Sequence, residues 1–391
     1  MSASALPPPV PSPASSWLRA SLALPPAAPP AWPPERIQQH TADLRQRLHA
    51  GAGAWPGQQG RIAQALGLSE ADLLLAHADD PAGTRAQPLA RQGLPTLRVR
   101  ELQAAADALL QGLAALGPVD TLVGTEASQL CIRGPHPGPG WWRGPVRRGP
   151  AGGQGAGSTA SAVLESPGHW WRHALAVEAR WPGQPSQHSV QCFDAQGAAL
   201  HRVLLHEGSQ VAAWHDLVGL HGSRWRPPAG VLGAGEADPA PACEPLADGL
   251  ASEVATASAC EVLQRAAQVG LPLTLSVPAG PLRLHRRGPV RQVRLDGAWL
   301  SASHDDFQWR LREDRIARAW VVRRIARGPG AQGLTHALLL LGGRGEPLAE
   351  LRDDHGPGQG ERCEWRQLLS TLAAEPAPAP STPLPRWLRP A

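Results

Sequence analysis

The chain has 391 residues, long enough for two domains, with a globular 42% hydrophobic fraction and a formal net charge of +4, too weak by itself to mark a nucleic-acid binder. It has no lysine and no tyrosine, which excludes a lysine Schiff base, a phosphate-loop lysine and a tyrosinate ligand. Gly and Pro number 42 each, well above ordinary usage, and must fill loops, tails and linkers.

Cys131, Cys192, Cys243, Cys260 and Cys363 are scattered, with no CxxC pair. That odd count predicts reduced thiols and a cytoplasmic address. Pro7 to Pro9 and Pro25 to Pro34 break any signal-peptide core. No window approaches the roughly 20 apolar residues of a membrane span, so no membrane insertion is expected.

In chain order, residues 1–34 form a Pro/Ala-rich tail expected to be disordered. A first module is expected over 35–225, a Pro/Gly linker over 226–250, a second module over 251–374 and a Pro-rich tail over 375–391. Ile37, Leu44 and Leu48 begin the first module at near-helical spacing. Next, GRIAQALGLSEADLLLAHA predicts a helix, a turn at Gly67 and a second helix capped by Ser69, with Asp72 three residues on. The pair reads as a structural αα-hairpin or as a helix-turn-helix. Arg61 is its one basic residue, while Glu70, Asp72, Asp79 and Asp80 crowd the helix that would enter a DNA groove, so nucleic acid is disfavoured.

A third helix is expected from Arg98 to Leu116, stopped by Gly117-Pro118, followed by strands Thr121 to Val123 and Leu130 to Arg133. Gly134 to Gly157 reads as a loop, with Trp141-Trp142 and nearby arginines. HSVQCFDAQGAALHRVLL, from His188 to Leu205, runs apolar residues into the turn Asp194-Ala195-Gln196-Gly197 and out again, a β-hairpin. A helix with Trp214 and Leu217 follows. The second module opens with a helix expected around Glu253 to Val269.

The hairpin recurs as HALLLLGGRGEPLAELRD, from His336 to Asp353, and again a helix with Trp365 and Leu368 follows. The run ending at Pro135 resembles the run ending at Pro289. Trp171 and Trp181 match Trp309 and Trp320 at spacings of ten and eleven. These echoes predict an α+β fold, a tandem duplication of a module of helices followed by a large antiparallel sheet, each module with its own core.

The HExxH, GxSxG and GxxxxGK[ST] motifs are missing. Ser303-His304-Asp305 has the residue types of a catalytic triad, but neighbours in sequence seldom converge, and a surface turn is the simpler reading. No histidine cluster has zinc-ligand spacing.

The phrases SVQCFDAQGAALHRVL and RIARAWVVRR…PLAEL, each followed by a W-x-x-L helix, and GRIAQALGLSEADLLLA at the entry, resemble the HemS/ChuX-type haemin-degrading factor family over about residues 58 to 372. The resemblance implies two saddle-like antiparallel sheets and haem, as ligand or substrate, held in a cleft between modules. It also implies a cytoplasmic role in haem uptake for iron acquisition, with a haem importer or a haem oxygenase as partner. Some members carry haem, and some open the macrocycle themselves given an electron donor. Alternatives are a divergent tetrapyrrole-binding member without haem ligation and a helix-turn-helix DNA-binding regulator.

In similar proteins an iron-binding histidine precedes the second module, but no His occurs here from Gly222 to Leu284. A first-module histidine would fall at Leu130, beside Cys131, and the cleft tyrosine and arginine would fall at Arg352 and His355. The family's basic pair matches Arg323 and Arg324. The resemblance therefore implies cofactor contacts at Arg323, Arg324, Arg352, His355, His285 and Cys131, with His355 as the expected ligand to iron. Adjacent residues of a strand point to opposite faces, so only one of Arg323 and Arg324 can face a ligand.

Overall fold

The computed structural model describes residues 63, 69–75, 96–136, 142–143, 162–165, 171–180, 185–223, 251–325, 334–355 and 360–374. Both tails, the 226–250 linker, the helix expected from Glu35, Arg61, Trp181, Cys243 and most of the Gly134 to Gly157 loop lie outside the described residues.

In chain order the first half gives α1 (Glu70–Leu75), β1 (Thr96–Leu102), α2 (Ala106–Ala114), β2 (Pro118–Gly124), β3 (Ser128–Pro135), β4 (Trp142–Arg143), β5 (Ala162–Glu165), β6 (His173–Arg180), β7 (Gln187–Phe193), β8 (Ala199–Leu205), α3 (Val211–His221) and β9 (Gly222–Ser223). The second half gives β10 (Ala251–Val254), α4 (Ser258–Val269), β11 (Pro272–Ala279), β12 (Leu282–Pro289), β13 (Gln292–Asp296), β14 (Trp299–His304), β15 (Phe307–Arg312), β16 (Arg318–Ile325), β17 (Leu334–Leu341), β18 (Pro347–Asp353) and α5 (Cys363–Ala374). The fold is α+β, with two sheets that are almost entirely antiparallel.

The duplication is visible in the pairing. Pro118 faces Pro135 across β2 and β3 as Pro272 faces Pro289 across β11 and β12. Both predicted hairpins form, β7–β8 and β17–β18, and Gly197 (φ 76°) and Gly345 (φ 79°) close their turns in the left-handed region that glycine enters without strain. Each returning helix is pinned by its tryptophan: the Trp214 indole donates to the Ser189 carbonyl at 3.3 Å and Trp365 to the His336 carbonyl at 3.0 Å. The two tryptophans upstream do not correspond in place, because Trp171 precedes β6 whereas Trp309 sits within β15. Trp320 lies opposite Leu339 of β17, and its counterpart in the first half is Leu175, opposite Gln191 of β7.

Two expected helices begin too early. Thr96–Leu102 is a strand whose alternation of Leu97 and Val99 with Arg98 and Arg100 fits a pleat, and it pairs with β6 from Thr96 to Glu101. Ala251–Val254 likewise pairs with β16, so helix starts only at Ser258. In both places pairing with a distant strand overrides local helix propensity. Trp142–Arg143, expected in a loop, pairs in parallel with β5.

Each half lends strands to the other. The first sheet has the order β13-β14-β15-β3-β2-β8-β7-β6-β1-β9 and the second β10-β16-β17-β18-β11-β12-β5-β4. Strands β13–β15 of the second half thus extend the first sheet through β15 against β3, while β4 and β5 of the first half extend the second sheet through β5 against β12. The expectation of separate cores fails accordingly. One buried cluster runs through both halves, from Leu109, Val119 and Leu130 to Leu275, Leu284, Trp309 and Trp365. β2 and β3 lie against β11 and β12 across it.

Candidate functional site

Strand alternation divides the second sheet into two faces. Leu338, Leu340, Leu351 and Leu284 point into the shared core, and α5 packs on the β16 and β17 side of that face with Trp365 and Leu369. On the outer face, residues directly opposed in neighbouring strands line up as Trp320, Leu339, Glu350, Ser276 and His285. A parallel row holds Val322, Ala337, Arg352, Thr274 and Arg287. Trp320, Val322, Leu339 and Leu341 form an apolar cluster there.

Beside that cluster three guanidinium groups meet one carboxylate. Arg324 Nη1 donates to Glu350 Oε1 at 3.0 Å, Arg283 Nη1 lies 3.4 Å from Oε2 and Arg352 Nε 3.6 Å from Oε1. The Glu350 side chain is 5% exposed, while Arg283, Arg324 and Arg352 are 31%, 32% and 38% exposed, so solvent reaches the cations and not the acid. Burial pushes the Glu350 pKa up, but Arg352, Arg324, Arg283 and His285 together hold it below the ordinary carboxylate value. Buried His285 shares the row with Glu350, and its Nδ1 is 2.6 Å from the Ser276 hydroxyl, which fixes the ring.

The structure therefore brings together Arg324, Arg352 and His285. It places Arg323 on the opposite, helix-covered face, across from His336, which is held by Glu361 at 2.6 Å. His355 is also turned away: its Nδ1 lies 3.3 Å from Asp353, whose buried carboxylate belongs to the core side and also binds Arg362 at 2.7 Å. Cys131 is in the other sheet, between Leu122 and Gln308. Burial, then the Asp120 carboxylate, push its thiol up to about 12, so no thiolate forms at neutral pH. Sequence reading missed Arg283 and Glu350. Their available signal was a lone acid on the outward phase of PLAELRD and an arginine two residues before His285, in step with it.

The outer face of the first sheet is built differently. Arg202 stands where the second half has Glu350, and it pairs with Glu70 of α1. Ser69 caps α1, accepting from the Asp72 amide at 3.1 Å, and Ala71, Leu74 and Leu75 pack on Val99, Leu175, Val177 and Phe193. A helix buried on its own sheet cannot enter a DNA groove, so the helix-turn-helix reading has no support. Farther along this face, Asp120, Cys131, Arg133, Ser303, His304 and Asp305 line a cavity of about 390 Å³. Of the Ser303-His304-Asp305 triplet, Ser303 and His304 end β14 and Asp305, 78% exposed, opens the turn to β15.

Such an architecture defines a class, a duplicated antiparallel-sheet protein whose halves exchange strands and whose second sheet carries a cationic outer face. Residues 100–217 match the family model for haem utilisation ChuX/HutX, and residues 240–372 match the haemin-degrading HemS.ChuX domain. The chain belongs to the HemS/ChuX-type haem-utilisation family. It is 24% identical over 220 residues to the hemin transport protein HmuS of Yersinia pestis and 23% identical over 220 residues to the hemin transport protein HemS of Yersinia enterocolitica. Each match covers 48% of this chain and 63% of the relative's length. Among solved structures it is similar to the heme degrading enzyme ChuS of Escherichia coli O157:H7 (TM-score 0.67, 19% identity, covering 86% of this chain and 99% of that one). It is also similar to holo-PhuS, a heme-binding protein from Pseudomonas aeruginosa (TM-score 0.66, 20% identity, covering 87% and 99%). These likenesses establish the fold. Among the described residues no helix is long and apolar enough to cross a membrane.

Proposed function

We propose that this chain binds haem on the outer face of its second sheet and serves haem uptake in the cytoplasm, taking haem from an importer and passing it to a haem oxygenase or opening the ring itself. The observation that carries the proposal is the meeting of Arg283, Arg324 and Arg352 beside the apolar Trp320, Val322 and Leu339 on one face. Haem is a flat apolar ring with two carboxylates at one edge. Guanidinium groups pair bidentately with such carboxylates, and the ring would meet Trp320, Val322 and Leu339, which are 5%, 0% and 1% exposed in this structure, by displacing what covers them. When bound, the haem supplies an iron that takes an axial ligand. Among the described residues His285 is the imidazole on this face, held in orientation by Ser276, and neutral imidazole is a common ligand to haem iron.

Titrating haemin into the full chain and following the Soret band tests the reading. Saturable binding is expected, weakened by Arg324→Ala and by Arg352→Ala, with a ferric spectrum altered by His285→Ala and unchanged by His355→Ala. Absence of any saturable shift would sink it. A chain that held the tetrapyrrole by its carboxylates alone would bind metal-free protoporphyrin as tightly as haemin, so the same titration with both separates ligation from mere pairing.

A further inference from the structure

We infer that Glu350 is a specificity-determining residue, setting the outer face of the second sheet to accept a ligand with two carboxylates. The inference rests on the reading of that face as the haem site and goes beyond it by naming the group that counts charge there.

Three guanidiniums converge on one carboxylate, leaving two positive charges in excess among the described residues. The neighbouring charges of the face come in opposite pairs, Arg318 with Glu253 at 2.8 Å and Arg287 with Asp354 at 3.9 Å, and beside Arg283 the register sets Glu165 of β5 opposite Arg143 of β4, one charge of each sign. Glu350 sits in β18 between β17 and β11, in the middle of the sheet, where it can neither leave nor reach solvent. A ligand carboxylate therefore adds to it and does not replace it. Arg324 and Arg283 each reach Glu350 through a single Nη1 and Arg352 approaches it through Nε, and a guanidinium has five N–H donors, so further donors remain for a ligand.

The module does not need an acid at this point in order to fold. The first half carries Arg202 there, with the opposite charge, and supplies Glu70 from α1 as its partner. What the sheet requires is a compensated charge, and the sign is available for function. In the second half the acid holds three mutually repelling guanidiniums at fixed spacing and lowers their combined charge from three to two.

The test uses the full chain and three iron porphyrins: haemin, its dimethyl ester without carboxylates, and iron coproporphyrin with four. Glu350→Gln preserves size and raises the excess charge to three. It is expected to shift the affinity ratio of the four-carboxylate porphyrin over haemin upward by about tenfold, with ester binding unchanged. The double variant Glu350→Gln/Arg283→Gln returns the excess to two and is expected to restore the ratio to within about threefold of the parent. A parent-like ratio in Glu350→Gln, or a raised ratio that persists in the double variant, overturns the inference. If Glu350→Gln does not fold, Arg283→Gln, which lowers the excess to one, is expected to lower the same ratio by about tenfold, and a parent-like ratio there overturns the inference. A parent protein that binds haemin no better than its dimethyl ester would instead overturn the haem site itself.

Discussion

Arg323 and Arg324 are neighbours in sequence and strangers in space, since β16 turns one to the core side and the other to Glu350. Removing a charged hydrogen-bonding group typically costs about 1.5 to 3 kcal/mol, roughly tenfold or more in affinity. Arg324→Ala is expected to lose that much haemin affinity and Arg323→Ala almost none, measured by Soret titration of each variant. Two equal, negligible losses would remove Arg324 from the site. The alternation was legible in the sequence as AWVVRR, but which phase faces a ligand was not, because that depends on where α5 docks. A second residue-level effect concerns acid. Burial pushes His136 down to about 4, and burial with the neighbouring His136, 5.6 Å away between ring centroids, lowers His201 well below its ordinary value. For His136 the folded pKa is below the unfolded value, so the stability is fully present above about pH 6.5 and is lost as pH falls towards about 4. The loss from His136 alone is on the order of 3 kcal/mol. Urea unfolding at pH 7 and pH 4.5 should show it, and His136→Leu should flatten the difference.

The two hairpins test the element scale. Gly345 and Gly197 have the same backbone conformation, but a Cβ on Gly197 would also come within 2.7 Å of the Ser69 Cβ at the start of α1. Gly345→Ala is expected to cost about 1 to 2 kcal/mol from left-handed strain alone. Gly197→Ala should cost more, because α1 must shift and its Asp72–Ser69 cap with it. Chemical unfolding of both variants checks the order, and a smaller loss for Gly197→Ala would mean that α1 is not seated as described. These hairpins were legible because turn and alternating strands lie within eighteen residues. Strands β1 and β10 were not, since each is a short run directly before a real helix and is defined by pairing with β6 or β16, more than sixty residues on.

At the scale of the whole molecule, duplication was readable and exchange was not. Nothing local in Gln292–Asp296, Trp299–His304 or Phe307–Arg312 says which sheet they join, because the pairing of Phe307 with Ile132 joins residues 175 apart in the chain. Cleavage within 226–250 is therefore expected to leave the halves together in gel filtration, separating only in denaturant. Halves that part under native conditions would contradict the exchanged strands. A fragment of residues 251–374 made alone should lack cooperative unfolding, since Leu300, Trp309 and Leu311 would lose their partners in the first half. The exchange also bears on synthesis. While the ribosome is still making residues 136 to about 306, β3 has no neighbour on one side and presents an unpaired edge, the kind of surface on which nascent chains aggregate. The first half can complete its sheet only when three-quarters of the protein has been translated, so folding of the earliest-made domain waits for a late-made strand.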